Sequence, residues 1–306
     1  MSIVQTNVPM TAALCQETIE KLVAAYPFLR SEILTQTAYG RPLLTLVIGS
    51  GPRKVLFTAS HHANEWITTP VILKFVEDLA AAIVSGGEIA GTDAQALSQQ
   101  VTIYTVPMVN PDGVDLVTGA IQSGTLPYAA AAAMADFYPD IPFPSGWKAN
   151  LLGVDLNLQY PAGWLQAREI KFSQGYTRPG PRDYVGRAPL NQQESRALAR
   201  YTEEIDPALV LAYHTQGGVI YWQFEDIQVP GARELGEKMA QRSGYELADT
   251  PYASSFAGSK DWFIKVFGRP GYTIEAGRGD NPLPLSQFDE IYRDNLPLLV
   301  TAALGE

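Results

Sequence analysis

Val55-Leu56-Phe57-Thr58-Ala59-Ser60-His61-His62-Ala63-Asn64-Glu65-Trp66 passes without a break from an apolar run into a polar cluster. The apolar half, Val55 to Ala59, is too short for a buried helix and reads as a buried strand. Similar runs occur at Leu43 to Ile48, Val101 to Met108, Leu209 to Tyr213 and Tyr272 to Ile274. Between them, Thr68 to Val84, Gln192 to Glu204, Ala232 to Ser243 and Leu285 to Leu304 carry apolar residues at three- and four-residue spacing. That spacing predicts amphipathic helices, each covering a face of the sheet. Strand-like and helix-like stretches alternate along the whole chain, which predicts an α/β fold. No internal repeat or long Pro/Gly/Ser-rich linker divides it, so residues 1–306 are expected to form a single domain. The stretch from Gly113 to Asn150 is irregular apart from the alanine run Ala129 to Ala133, which reads either as one short helix or as packing; loops of that length are often functional.

Composition removes several classes of function. A chain of 306 residues with 46% hydrophobic and 18% charged content can bury a large core without staples. A net charge of −10 and no run of lysines or arginines argue against nucleic acid and anionic membrane as partners. Cys15 is the single cysteine, so no intrachain disulfide is possible, and it reads as a half-buried helix residue. Residues 1–14 carry no basic head or long apolar run, and no eighteen apolar residues run together; the expectation is a soluble, cytoplasmic protein.

His62 and Glu65 stand three residues apart directly after a strand, a spacing at which two side chains can meet one ion. Catalytic zinc takes three His or carboxylate ligands and leaves one position open. With only three histidines in the chain, His214 is the candidate for the third ligand. It ends the run Leu209 to Tyr213, and strand ends are where open α/β sheets place their chemistry. His61 has Asn64 at the matching spacing, a poor zinc ligand, and is expected either to support the metal ligands from behind or to serve structure. Metal-assisted hydrolysis also needs a proton acceptor, and Glu275, closing the apolar run Tyr272 to Ile274, is the candidate base. Each signal is common alone; their combination is not.

In sum these residues resemble the zinc carboxypeptidase family, over nearly the whole chain. The blocks that carry the resemblance, in the family's order, are His62-Ala63-Asn64-Glu65-Trp66, Val109-Asn110-Pro111-Asp112-Gly113, Gly153-Val154-Asp155-Leu156-Asn157, Tyr213-His214-Thr215 and Thr273-Ile274-Glu275. A further block, Gly258-Ser259-Lys260-Asp261-Trp262, is similar to the segment lining the pocket for the substrate's terminal side chain. The resemblance implies a mixed, mostly parallel sheet of about eight strands between helix layers. It implies one Zn2+ per chain on His62, Glu65 and His214, catalysis by Glu275, and Asn157 within the substrate site. Asp155 is the candidate partner for the far nitrogen of one ligand histidine. Lys148 stands where the family has an arginine that polarises the scissile carbonyl.

One departure is informative. Ordinary members have Asn-Arg where this chain has Asn157-Leu158, and leucine cannot hold a substrate carboxylate. With Trp147-Lys148-Ala149-Asn150 and Ile274-Glu275-Ala276-Gly277, this resembles the branch that cleaves γ-D-glutamyl-meso-diaminopimelate bonds, implying a muropeptide or another small peptide as substrate. Lys260 is expected to read an acidic group on the terminal side chain, unless it points to solvent or pairs with Asp261. Tyr252 lies one residue from the place of the tyrosine that closes over substrate, and Arg278 either binds a substrate carboxylate or pairs with a nearby acid such as Asp280. The alternatives are a metallocarboxypeptidase of other specificity and an inactive peptide-binding relative.

Overall fold

The computed structural model of the protein describes residues 2–305. Seven strands form the main sheet: β1 (Leu46–Ile48), β2 (Arg53–Thr58), β3 (Val101–Val106), β4 (Leu209–His214), β5 (Val219–Tyr221), β6 (Glu246–Ala248) and β7 (Gly271–Glu275). Their spatial order is β6-β5-β7-β4-β2-β3-β1, against the eight or so that the resemblance implies. The expected strand from Leu43 to Ile48 is in fact two. Pro42–Leu44 turns away to pair with Ile33–Gln36 in a separate ribbon, and only Leu46–Ile48 joins the main sheet, antiparallel to β3.

The centre of the sheet, β3-β2-β4-β7, is parallel throughout, with antiparallel pairs only at β1-β3 and β5-β7. A parallel centre requires crossover helices on both faces, which is why its strands read as continuous apolar runs. The side chains sort by the strand period of two. Val55 and Phe57 on β2, with Leu209, Leu211 and Tyr213 on β4, join the core containing Leu22, Phe75 and Leu298. Those three lie on α1 (Ala12–Ala25), α2 (Thr68–Ser85) and the C-terminal helix Phe288–Leu304. Leu56 and Val210 face the other way, against Leu198 and Tyr201 of the helix Gln193–Ile205 and Phe263 of the helix Ser259–Phe267. Strands β5 and β6 and the helices Ala12–Ala25 and Ser259–Phe267 are additions to the elements expected from periodicity. No helix among the described residues is long and apolar enough to cross a membrane.

The stretch after Gly113 is more ordered than its composition suggests. Helices Pro111–Val117 and Leu126–Ala135 enclose a small third core in which Ala131, Ala135 and a fully buried Trp147 pack together. The first begins at Asn110, whose Oδ1 accepts from Gly113 N, with Pro111 in the first turn, where its missing N–H costs nothing. Gly113 permits the close approach: a Cβ there would lie 2.5 Å from Ala149 O and 2.8 Å from the Ala63 Cβ. This core fixes the backbone on either side of Lys148.

One buried carboxyl is costly to this fold. Glu194, in the first turn of helix Gln193–Ile205, is 2% exposed, and burial, aided by Asp112, pushes its pKa up to about 7. The folded value exceeds the unfolded one, near 4.3, so the proton-bound form is favoured by folding. Its contribution is therefore fully present below about pH 4 and is lost as pH rises through about 7. Glu194→Gln should stabilise the protein at pH 8, by up to on the order of 3 kcal/mol, with the gain shrinking towards pH 4. Urea denaturation at the two pH values measures this; an equal effect at both would exclude a titrating Glu194.

Candidate active site

The site is assembled at the C-terminal ends of β2, β4 and β7. Beyond β2 the chain turns at Ser60, whose φ of 51° lies in the left-handed region. That conformation costs a non-glycine residue about 1 to 3 kcal/mol. Ser60 is held there by Oγ contacts of 3.2 and 2.8 Å to the hydroxyls of Thr68 and Thr69. The turn carries His62 over the sheet edge, and the single 3-10 turn Ala63–Glu65 brings Glu65 Oε1 to 2.9 Å from His62 Nδ1. From β4, His214 places its Nδ1 3.1 Å from His62 Nδ1 and 2.8 Å from Glu65 Oε2. Parallel register sets Glu275, the last residue of β7, beside His214.

The ligand-type atoms of His62, Glu65 and His214 lie within 4.8 Å of one another. Two imidazole nitrogens 3.1 Å apart cannot bond to each other when both are unprotonated, whereas a cation between them and the carboxylate satisfies all three. Two nitrogens and a carboxylate suit zinc, so the residues present fit that ion. His62 Nε2 turns to Asp155 Oδ1 at 3.1 Å, the partner expected from sequence, and Asp155 Oδ1 also accepts from Asn157 N. His214 Nε2 is buried with no hydrogen-bond partner among the described residues. His61 is fully buried; burial lowers its pKa well below the usual imidazole value, and its Nε2 meets the Tyr160 hydroxyl at 3.2 Å. It serves the structure behind the site.

Burial would raise the pKa of Glu65, but His62, Lys148 and His214 around it hold it well below the ordinary carboxylate range. Lys148 Nζ lies 3.0 Å from Glu65 Oε1. Its backbone is woven into the site, with Lys148 O accepting from Ala63 N and Lys148 N donating to Pro181 O. Glu275 is raised, chiefly by burial and also by the charge of Glu65, against the opposing pull of His214. A carboxylate of raised basicity is better matched to taking a proton near neutral pH.

Two cavities of about 180 and 530 Å³ meet at this edge and share His62, Lys148, Arg182, Tyr221 and Glu275 as walls. The smaller is also lined by Asn157, Leu158 and Lys260. Asn157 Oδ1 accepts from Ser259 N, tying the two sequence blocks together. Lys260 faces this cavity, yet its ammonium already pairs with Asp261 at 2.6 Å and donates to Gln223 O at 2.7 Å. Two expected substrate contacts lie elsewhere. Tyr252 is 73% exposed, its ring packed edge-on against Phe256, because the 3-10 turn Tyr252–Ser254 directs it away from the cavities. Arg278 follows the strand end outward, lies across Gly218 and lines a separate cavity with Tyr245 and Gln287; it pairs with neither Asp280 nor any substrate-facing group. Arg182, Asp183, Lys171 and Tyr221 are walls that sequence reading missed. The only signal for the first two was a charged pair after Pro179-Gly180-Pro181, far in sequence from every motif.

An α/β sheet whose C-terminal edge gathers two imidazoles and a carboxylate around one point, with a second carboxylate in register beside them, defines a metal-dependent hydrolase. The chain belongs to the zinc carboxypeptidase family, whose profile matches residues 15–298. It is 43% identical over 282 residues to the gamma-D-glutamyl-L-diamino acid endopeptidase 1 of Lysinibacillus sphaericus, covering 92% of this chain and 69% of that protein. It is 35% identical over 279 residues to the uncharacterized protein YqgT of Bacillus subtilis, covering 90% and 72% respectively. In fold it is similar to thrombin-activatable fibrinolysis inhibitor, with a TM-score of 0.78 at 16% identity over 99% of this chain and 76% of that one. The protein is a zinc metallopeptidase.

Purified protein should carry about one zinc per chain by elemental analysis, lost in His62→Ala, Glu65→Ala or His214→Ala, since each leaves only two protein ligands. Full occupancy in His214→Ala would remove that histidine from the ligand set.

Proposed function

We propose that the chain folds as one catalytic domain that hydrolyses the γ-D-glutamyl-meso-diaminopimelate bond of peptidoglycan-derived peptides, acting in the cytoplasm on soluble muropeptides. His62, Glu65 and His214 hold the zinc in this reading. The observation that carries it is the convergence of those three ligand atoms within 4.8 Å, with Glu275 paired in register beside His214. Support for the substrate comes from the likeness to the endopeptidase named above and from Leu158, an apolar wall at the place of a carboxylate-gripping arginine.

When bound, zinc supplies a Lewis acid that acidifies water and polarises a carbonyl oxygen. Glu275 accepts the proton of the attacking water and returns it to the departing amine; its place at the junction of the two cavities, in register beside His214, suits both transfers. Lys148, anchored through Glu65 and its own backbone, directs an ammonium to the charge developing on the carbonyl oxygen. The buried Lys260–Asp261 pair offers both charges to the amino acid centre that ends a diaminopimelate side chain, one meeting its carboxylate and the other its ammonium. Asn157 holds the backbone under this pocket through Ser259.

The test is release of diaminopimelate from L-Ala-γ-D-Glu-meso-diaminopimelate by the zinc-loaded protein. Glu275→Gln should keep zinc and substrate binding while lowering kcat by about 10²-fold to 10⁴-fold; near-normal turnover would dismiss it as the base. Lys260→Ala should lower kcat/KM for this tripeptide by about tenfold to a hundredfold, while a peptide ending in lysine is little affected. Equal losses on the two peptides would mean that Lys260 does not read the side chain.

A further inference from the structure

Of the five residues shared by both cavities, Arg182 has no part in the mechanism above, and its setting is that of a built binding group. Its Nε donates to Asp183 Oδ2 at 2.5 Å, while its two terminal nitrogens make no hydrogen bond or ion pair among the described residues. The side chain is 39% exposed, on the wall that it shares with His62 and Lys148. Asp183, which aims it, is buried and held at a φ of 63°, a conformation costly for a residue other than glycine. Lys171 Nζ fixes the other oxygen of Asp183 at 2.7 Å, and Asp183 N donates to Asp155 Oδ2. Asp155 in turn holds His62. The guanidinium is therefore indexed through two buried carboxylates to the imidazole that faces the metal position.

A guanidinium fixed at Nε and open at both Nη groups presents the planar fork that matches a carboxylate. The reaction supplies such groups next to the scissile amide, and Leu158 cannot bind one. We propose that Arg182 is the specificity-determining residue that grips a substrate carboxylate flanking the scissile bond. This rests on the substrate reading given above. Two carboxylates have that chemistry: the α-carboxylate of the released diamino acid, and the α-carboxylate that a γ-linkage leaves free on the glutamyl residue.

The experiment compares kcat/KM of wild type and Arg182→Ala, both zinc-loaded, on three peptides. These are L-Ala-γ-D-Glu-meso-diaminopimelate, the same peptide with the glutamyl α-carboxylate converted to the amide, and the same peptide with the diaminopimelate α-carboxylate so converted. On the parent peptide Arg182→Ala should lose about tenfold to a hundredfold, the worth of hydrogen bonds to a charged group. On one of the two amides wild type and variant should be nearly equal, and that amide identifies the carboxylate gripped. Arg182→Lys, which keeps the charge without the fork, should recover only part of the loss on the parent peptide. The same factor lost on all three peptides, or none lost on any, would overturn the proposal while leaving the substrate reading intact. Failure of the wild type to cleave any of the three would overturn the substrate reading and this inference with it.

Discussion

The parallel pairing of β2, β4 and β7 is the constraint on which the rest of this molecule depends. Hydrogen bonding in register opposes Thr58 to Ala212 and Glu275 to His214, so three chain segments far apart in sequence end along one edge. The pairing can form only if both sheet faces are covered, and the continuous apolar runs Val55 to Ala59 and Leu209 to Tyr213 supply side chains for both. Slipping β7 by one residue would turn Glu275 to the other face of the sheet, together with every core side chain of that strand. Catalytic geometry and core packing thus stand or fall together, and this makes the sheet edge a rigid place for chemistry.

Burying so much charge has to be offset locally. Glu65 is 1% exposed, a position that would cost an isolated carboxylate several kcal/mol. Its two oxygens meet His62, Lys148, His214 and the Thr215 N–H, which leaves no lone pair facing an apolar neighbour. Asp155 and Asp183 are compensated in the same way by His62, Lys171 and Arg182. The cluster is one connected network, so a change at Asp183 would propagate through Asp155 to the ring orientation of His62. Networks of this kind specify geometry when every member is satisfied and become liabilities when one is not. The strained backbone at Ser60 and Asp183 sits at its two ends, where the chain must bend to deliver a side chain.

Residues whose position follows from the end of a strand were legible in advance. His214 and Glu275 each close an apolar run, and His62 and Glu65 follow one by a few residues, so strand pairing carries them to one point. Asp155 was legible as a histidine partner because ligand imidazoles need one. Tyr252 and Arg278 line neither cavity, because each sits in a loop or beyond a strand end, where an offset of one residue redirects a side chain. Lys260 lines the smaller cavity, and its pairing with Asp261 depends on the rotamers that packing allows on the first turn of its helix.

The sequence by itself determined the fold class, the central strands and the donor set, because apolar periodicity and motif order are local properties of the chain. It also determined that the chain is a member of a zinc peptidase family and that Leu158 lacks the charge to grip a carboxylate. Only the tertiary structure brought Arg182 and Lys171 to the cavities. Arg182 comes from a proline- and glycine-rich loop without periodicity, and it reaches the cavity wall that includes His62 through the hydrogen bond from Asp183 N to Asp155, 28 residues apart in the chain. Contacts of that kind depend on side-chain packing across distant segments, and no regular pattern along the chain encodes them.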